Sequence, residues 1–221
     1  MIDWQEIDTV LLDMDGTLLD LHFDNFFWLN YLPEQYALAN NLSIEDSKIE
    51  LKQRYQGQSG LLNWYCLDYW SKELGLDILA LKENIQDLIA YRPKVKQFLL
   101  ALKIRGTKRI LVTNAHPDSL QLKLKRTDLH LHLDQLYSSH QFDKPKENKQ
   151  FWHDFSAVEP FDLEKTLLID DSKAVLNNAK SFGFKHLLNI QQPDSKQAPK
   201  ICSDYHSINC FSEIMPQTQI T

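Results

Sequence analysis

The stretch Val10-Leu-Leu-Asp-Met-Asp-Gly-Thr-Leu-Leu19 constrains this chain more than any other. An apolar run, Val10 to Leu12, meets two carboxylates one residue apart, Asp13 and Asp15, and Gly16-Thr17 follows at once. A continuous Val/Leu run bounded by a turn signal predicts a strand buried on both faces, the strand type of a parallel sheet. Gly16 lets the chain leave that strand sharply. In an open parallel sheet ligands bind beyond the carboxyl ends of the strands, where Asp13 and Asp15 would stand. Two close carboxylates repel, and a divalent cation is the usual remedy; Mg²⁺ takes oxygens from one or two carboxylates and from substrate phosphate. Taken alone, the same residues also suit a strand that ends in a solvated turn.

Similar runs recur later. Ile110-Leu-Val112 ends in Thr113-Asn114, Leu136-Tyr-Ser-Ser139 reads as a short strand, and Thr166-Leu-Leu-Ile169 ends in Asp170-Asp171. Phe184 to Ile190 reads as one more strand. Helical patterns separate them. Val95, Phe98, Leu99 and Leu102 form one apolar face after Pro93, closed by Gly106. Another helix covers Leu120 to Arg126, and a third holds Phe151, Trp152 and Phe155. Ser172 can cap a fourth, with Val175, Leu176, Ala179 and Phe182 inward and Gly183 as its stop. Strands alternating with helices predict βαβ units, hence an α/β fold with a doubly wound parallel sheet.

Residues 20–91 break the rhythm and hold no second buried β-branched run. Ser43 with Asp46 three residues on predicts a helix start. Leu61, Leu62, Tyr65, Tyr69 and Leu74 fall near helical spacing before Gly75. The expectation is a helical cap over 20–91, inserted after the first strand of an α/β core made of 1–19 and 92–221. The segment beyond Gln191 is polar and carries three prolines, so it reads as a tail laid on the surface.

The 221 residues exceed one typical domain, and a 43% hydrophobic content is that of an ordinary globular protein. The formal net charge of −6 and the lack of a basic block argue against a nucleic-acid partner. Cys66, Cys202 and Cys210 show no paired spacing, which suggests a reducing compartment. The acidic start, with Asp3, Glu6 and Asp8, is unlike a signal peptide. No stretch nears the ~18 uninterrupted apolar residues of a membrane span, so the expected setting is the cytoplasm with no membrane partner. Oligomeric state stays open.

Four strand ends thus carry polar groups: Asp13/Asp15, Thr113-Asn114, the loop Phe142-Asp-Lys-Pro-Lys-Glu-Asn-Lys149, and Asp170-Asp171. Each alone is ordinary turn or cap chemistry. In order, at the ends of strands that share one rim, they form a set. The set resembles the haloacid dehalogenase (HAD) superfamily of phosphohydrolases. Its motifs stand here as Asp13-Met-Asp-Gly-Thr-Leu18, Ile110-Leu-Val-Thr-Asn114, a loop lysine, and Leu167-Leu-Ile-Asp-Asp171. Asn63-Trp-Tyr-Cys-Leu-Asp-Tyr-Trp70, Val112-Thr-Asn-Ala-His-Pro117 and Ile169-Asp-Asp-Ser172 further resemble that superfamily's bacterial nucleotidases for GMP and IMP.

The resemblance implies a Mg²⁺-dependent phosphomonoester hydrolase, a 5'-nucleotidase acting on a small purine monophosphate. Asp13 would be the nucleophile that forms an aspartyl-phosphate. Asp15 would protonate the leaving group and then take a proton from water. Thr113, Asn114 and a lysine would hold the phosphate. Asp13, the backbone carbonyl of Asp15, and Asp170 would hold the ion. The lysine is Lys144 or Lys146; Trp152, six positions on, favours Lys146. Asp171 would bind outer water or cap the following helix. Asp15 favours ester chemistry over dehalogenation, since a halide leaves without a proton. A sugar phosphatase and a phosphomutase use the same carboxylates and remain alternatives. So does a binding module without turnover. Phe27, Trp28, Trp64, Tyr65 and Tyr69 fit either cap core or a wall for a purine ring. His22, His116 and His140 lie near the motifs without an assigned role, with His116-Pro117 at the expected pocket edge.

Overall fold

A computed structural model describes residues 2–200 and 202–217. At its centre lies a parallel sheet built from β1 (Thr9–Leu12), β2 (Lys108–Thr113), β3 (Gln135–Ser138), β4 (Thr166–Asp170), β5 (His186–Ile190) and β6 (His206–Ile208). The strand order is β3-β2-β1-β4-β5-β6. The winding direction changes between β1 and β4, the place where an open α/β sheet forms its crevice.

Helices α1 (His22–Phe26), α2 (Leu32–Asn40), α3 (Ile44–Gln56), α4 (Leu67–Leu74) and α5 (Ile78–Glu83) lie between β1 and β2, followed by α6 (Val95–Arg105). The later crossovers carry α7 (Pro117–Arg126), α8 (Lys149–Val158) and α9 (Lys173–Phe182). Alternation along the strands divides the core. Val10 and Leu12 face a cluster with Phe98, Leu99 and Leu102 of α6. Leu11, Ile110 and Val112 face Phe151, Trp152 and Phe155 of α8 and Val175 and Leu176 of α9. Each such side chain, fully buried, contributes roughly 1.5–3 kcal/mol of transfer free energy. The doubly wound α/β fold is therefore as the sequence predicts.

A third cluster, with Phe27, Leu51, Leu67, Trp70 and Ile78, belongs to helices α1–α5. Ser43 begins α3 by accepting the Asp46 amide at 3.1 Å. The helical spacing over 61–74 does not give one helix. A single 3-10 turn, Leu62–Tyr65, is followed by extended backbone at Cys66, whose Sγ accepts the Tyr69 amide at 3.4 Å and caps α4. Between α1 and α2 the chain passes through a π-helical turn, Phe27–Tyr31, just before Pro33. A proline ring displaces the i−4 carbonyl, and a wider turn relieves that clash.

The segment after Gln191 is not a surface tail. His206–Ile208 pairs with β5. Phe211 is buried beside Phe98, with ring centroids 4.7 Å apart, and the Trp4 indole donates to the Ile214 carbonyl at 3.0 Å. Arg92 donates to the carbonyls of Gln192 and Asn209. A three-residue strand with one apolar side chain has no readable period, so the sequence offered no sign of it. Among the described residues no helix is long and apolar enough to cross a membrane.

Candidate active site

Strand register builds the site. Leu12 lies level with Leu111 on one side and Ile169 on the other. The next residues outward, Asp13 and Asp170, therefore stand side by side at the rim, and the Asp13 amide donates to the Ile169 carbonyl at 3.0 Å. Lys146 fills the space between them. Its Nζ donates to Asp13 Oδ1 at 2.6 Å, to Asp170 Oδ2 at 2.7 Å and to the Val112 carbonyl at 2.9 Å. All three side chains are buried. Lys144 points elsewhere and pairs with Asp154 at 3.1 Å near the surface.

Other groups brace that lysine. Asn114 Oδ1 accepts the Lys146 amide at 2.9 Å, and its Nδ2 donates to Glu147 Oε2 at 2.9 Å. The carboxamide expected on the phosphate is thus engaged with the lysine loop. Asn178 of α9 donates to the carbonyls of Lys146 and Asn148 at 2.7 and 2.9 Å. Thr113 is buried and its Oγ1 accepts the Ala115 amide at 3.0 Å, which leaves its hydroxyl proton for another acceptor.

Asp13, Asp170 and Asp171 each offer a carboxylate oxygen, all within 4.8 Å of one another. The electrostatics show why a cation fits. Burial lifts the Asp13 carboxyl to about 6, with Lys146 opposing and Asp170 adding to the rise. Burial also lifts Asp170, and it lifts Asp171 well above the usual range with help from Asp13 and Asp170. Among the described residues Lys146 is the one cation paired with members of this trio, and it bonds Asp13 and Asp170 only. Three negative groups against one ammonium leave a deficit of positive charge that a divalent ion would fill. The trio differs from the predicted set. Asp171 joins it, and the cap of α9 is Ser172 Oγ instead (3.4 Å from the Val175 amide); the Asp15 carboxylate stays outside, as suits a residue expected to offer only its backbone carbonyl.

Gly16 makes room for this arrangement. Its φ is +85°, and a Cβ there would meet Asp171 Oδ2 at 2.7 Å. Gly16→Ala is expected to cost about 1–3 kcal/mol in backbone strain. It should also push Asp171 away from Asp13 and Asp170, so a divalent ion should stabilise this variant less than the parent. Thermal melts with and without Mg²⁺ check both effects; an unchanged response to Mg²⁺ would remove Asp171 from any ion site here.

A second charged chain runs beside the first. Asp15 Oδ1 accepts from Lys123 Nζ at 2.6 Å; Lys123 also donates to Asp24 at 2.7 Å, and Lys82 donates to the other Asp24 oxygen at 2.7 Å. Burial lifts Asp15 to about 6, while Lys123 pulls it down and Asp24 pushes it up. Burial opposes ionisation of Asp24, yet Lys123 and Lys82 together hold it well below the ordinary range. Lys82 is fully buried and lies 4.6 Å from the Phe27 ring centroid. None of Lys82, Asp24 or Lys123 was singled out by sequence. Lys123 falls among leucines of α7 at a position that reads as a solvated lysine.

Both charged groups open into one cavity of about 380 Å³. Asp13, Asp15, Thr113, Lys146 and Asp170 line its floor, and Trp28, Tyr55, Trp64, Tyr65 and Trp70 line it from the helical side. Phe27 instead belongs to the core of the helical unit, and Tyr69 packs against that core. Tyr65 donates to Glu147 Oε1 at 2.7 Å, a link from the helices to the lysine loop. His116 also lines the cavity. A carboxylate, a fixed ammonium, a second carboxyl able to gain or lose a proton, and three carboxylates close enough to hold a cation are parts that phosphoryl transfer uses.

The family model of haloacid dehalogenase-like hydrolases matches residues 7–188. The chain is 45% identical over 215 residues to the GMP/IMP nucleotidase YrfG of Escherichia coli, covering 97% of each chain, and equally to that of Shigella flexneri. Among solved structures, the HAD phosphatase from Thermococcus onnurineus superposes with a TM-score of 0.77 at 20% identity, over 94% of this chain and 96% of that one. At that identity the likeness speaks for the fold alone.

Proposed function

The chain belongs to the haloacid dehalogenase-like hydrolase family, and on that premise we propose that it hydrolyses purine nucleoside 5'-monophosphates, GMP and IMP, with Mg²⁺. The observation that carries the chemistry is Lys146 held between Asp13 and Asp170 at 2.6 and 2.7 Å, at the floor of a cavity with an aromatic wall. The purine preference rests on the 45% identity to the GMP/IMP nucleotidase of Escherichia coli.

In the proposed reaction an Asp13 oxygen attacks phosphorus, and the bond from phosphorus to the nucleoside oxygen breaks. Asp15, protonated at the start, gives its proton to the departing alkoxide. Water then attacks the aspartyl-phosphate, its proton passes to Asp15, and the Asp13–phosphorus bond breaks to release phosphate. A pKa near 6 suits Asp15 to both directions of transfer. Lys146 and the Thr113 hydroxyl balance the charge of the transferring oxygens. Mg²⁺ held by Asp13, Asp170 and Asp171 would supply Lewis-acid charge stabilisation. The helical unit over 20–91 acts as a cap. Its Trp28, Trp64 and Tyr65 offer flat faces to a purine, since ring stacking tolerates different bases.

Phosphate release from nucleoside monophosphates, sugar phosphates and p-nitrophenyl phosphate, with Mg²⁺ and with chelator, tests this reading. Mg²⁺-dependent release strongest on GMP and IMP is the expected result. Preference for sugar phosphates would keep the chemistry and discard the substrate. Asp15→Asn should slow alkyl esters far more than p-nitrophenyl phosphate, whose leaving group needs no proton. Equal losses on both would remove Asp15 from the acid role.

A further inference from the structure

Beside the cavity, but outside the carboxylate floor, three side chains of a different chemistry converge. Cys66 lies at the break between the 3-10 turn and α4, His116 caps α7, and His140 lies in the 3-10 turn after β3. One ligand atom from each falls within 4.8 Å of the other two. The two imidazoles meet edge to face, with centroids 5.0 Å apart. His140 Nε2 is buried and has no hydrogen-bond partner. Burial and the neighbouring His116 lower its pKa to about 4, so the ring is neutral at pH 7 with a lone pair available. Asp68 stands near His116 Nε2 at 3.6 Å and Asp118 near its Nδ1 at 3.7 Å.

We propose that Cys66, His116 and His140 form a second metal site, selective for a thiophilic divalent ion of the zinc class and distinct from the carboxylate trio. Hard Mg²⁺ prefers oxygen ligands, whereas one thiolate and two imidazoles suit zinc or cobalt. Zinc bonds of about 2.0–2.3 Å to nitrogen and sulfur place tetrahedral ligands roughly 3.5 Å apart. Small side-chain rotations bring the three atoms to that spacing. The ion displaces the thiol proton to solvent, and water completes the fourth position. Such an ion would do more than bind. Cys66 comes from the helical unit, whereas His116 and His140 come from the sheet core, and His116 lines the cavity. The ion therefore ties the helices to the core beside the cavity and slows exchange of substrate and product.

Cobalt reads the site without turnover, so this proposal stands or falls apart from the substrate. Co²⁺ titrated into the full chain with excess Mg²⁺ should give one equivalent of thiolate-to-cobalt charge transfer, and zinc should remove it. Oxygen ligands give no such band, so Co²⁺ at the trio is silent. Cys66→Ser keeps an N-cap for α4 and should abolish the band. His140→Gln, which spares the cysteine, should weaken cobalt binding at least about tenfold. Zinc should inhibit the parent in the presence of Mg²⁺, and Cys66→Ser should resist. No charge-transfer band in the parent, or a band that survives in Cys66→Ser, overturns the proposal.

Discussion

Asp13→Asn is expected to lose phosphatase turnover by about 10⁴-fold or more while keeping its fold. The amide matches the carboxylate in shape but is no nucleophile, so no aspartyl-phosphate can form. Lys146 keeps its bonds to Asp170 and the Val112 carbonyl, so the ammonium remains anchored. The substitution also removes one negative charge from the crowded trio with Asp170 and Asp171. Repulsion among buried carboxylates falls, and the midpoint of thermal unfolding should hold steady or rise. Steady-state phosphate release and a thermal melt, run on the same preparation, check the two halves. Residual activity near that of the parent would rule out covalent catalysis at Asp13.

Lys146→Met is expected to damage both activity and stability. Methionine keeps the length and apolar stem of the side chain but removes its charge. Asp13 and Asp170 then face each other in a buried site without their shared counter-ion. Breaking a buried ion pair from one side costs about 3–5 kcal/mol, since the remaining charges are left uncompensated. Turnover should fall by about 10²–10³-fold, the range seen when one donor to a transferring group is lost. Mg²⁺ should raise the melting temperature of this variant more than that of the parent, because the ion replaces the missing positive charge. Lys144→Met, which breaks a partly exposed pair with Asp154 and a 3.4 Å bond to the Phe142 carbonyl, should be nearly silent in both assays. Equal effects of the two substitutions would overturn the role given to Lys146.

Much of the rim was legible because strand ends announce themselves locally. An apolar run followed by Asp, Thr-Asn or Asp-Asp needs only neighbouring residues to be read; β1 ends where its run ends, and β2 and β4 each end one residue later, at Thr113 and Asp170. Caps were legible for the same reason: Ser43 and Ser172 each bond an amide three residues on. The break at Cys66 was hidden, because a thiol cap leaves an apolar helical period intact on either side. The last strand was hidden by its length.

The sequence by itself determined the alternation of strands and helices and the chemistry at each strand end, since hydrophobic period and turn residues act over a few neighbours. Only the tertiary structure decided which charges meet. Lys146 reaches Asp13 across 133 positions, and Lys123 reaches Asp24 across 99. Lys82 reaches Asp24 across 58. The partner of a buried ammonium follows from which helix faces which strand end, and no local pattern encodes that. The same holds for Asp171. Its place beside Asp13 depends on the missing Cβ of Gly16, a contact across the switch point of the sheet.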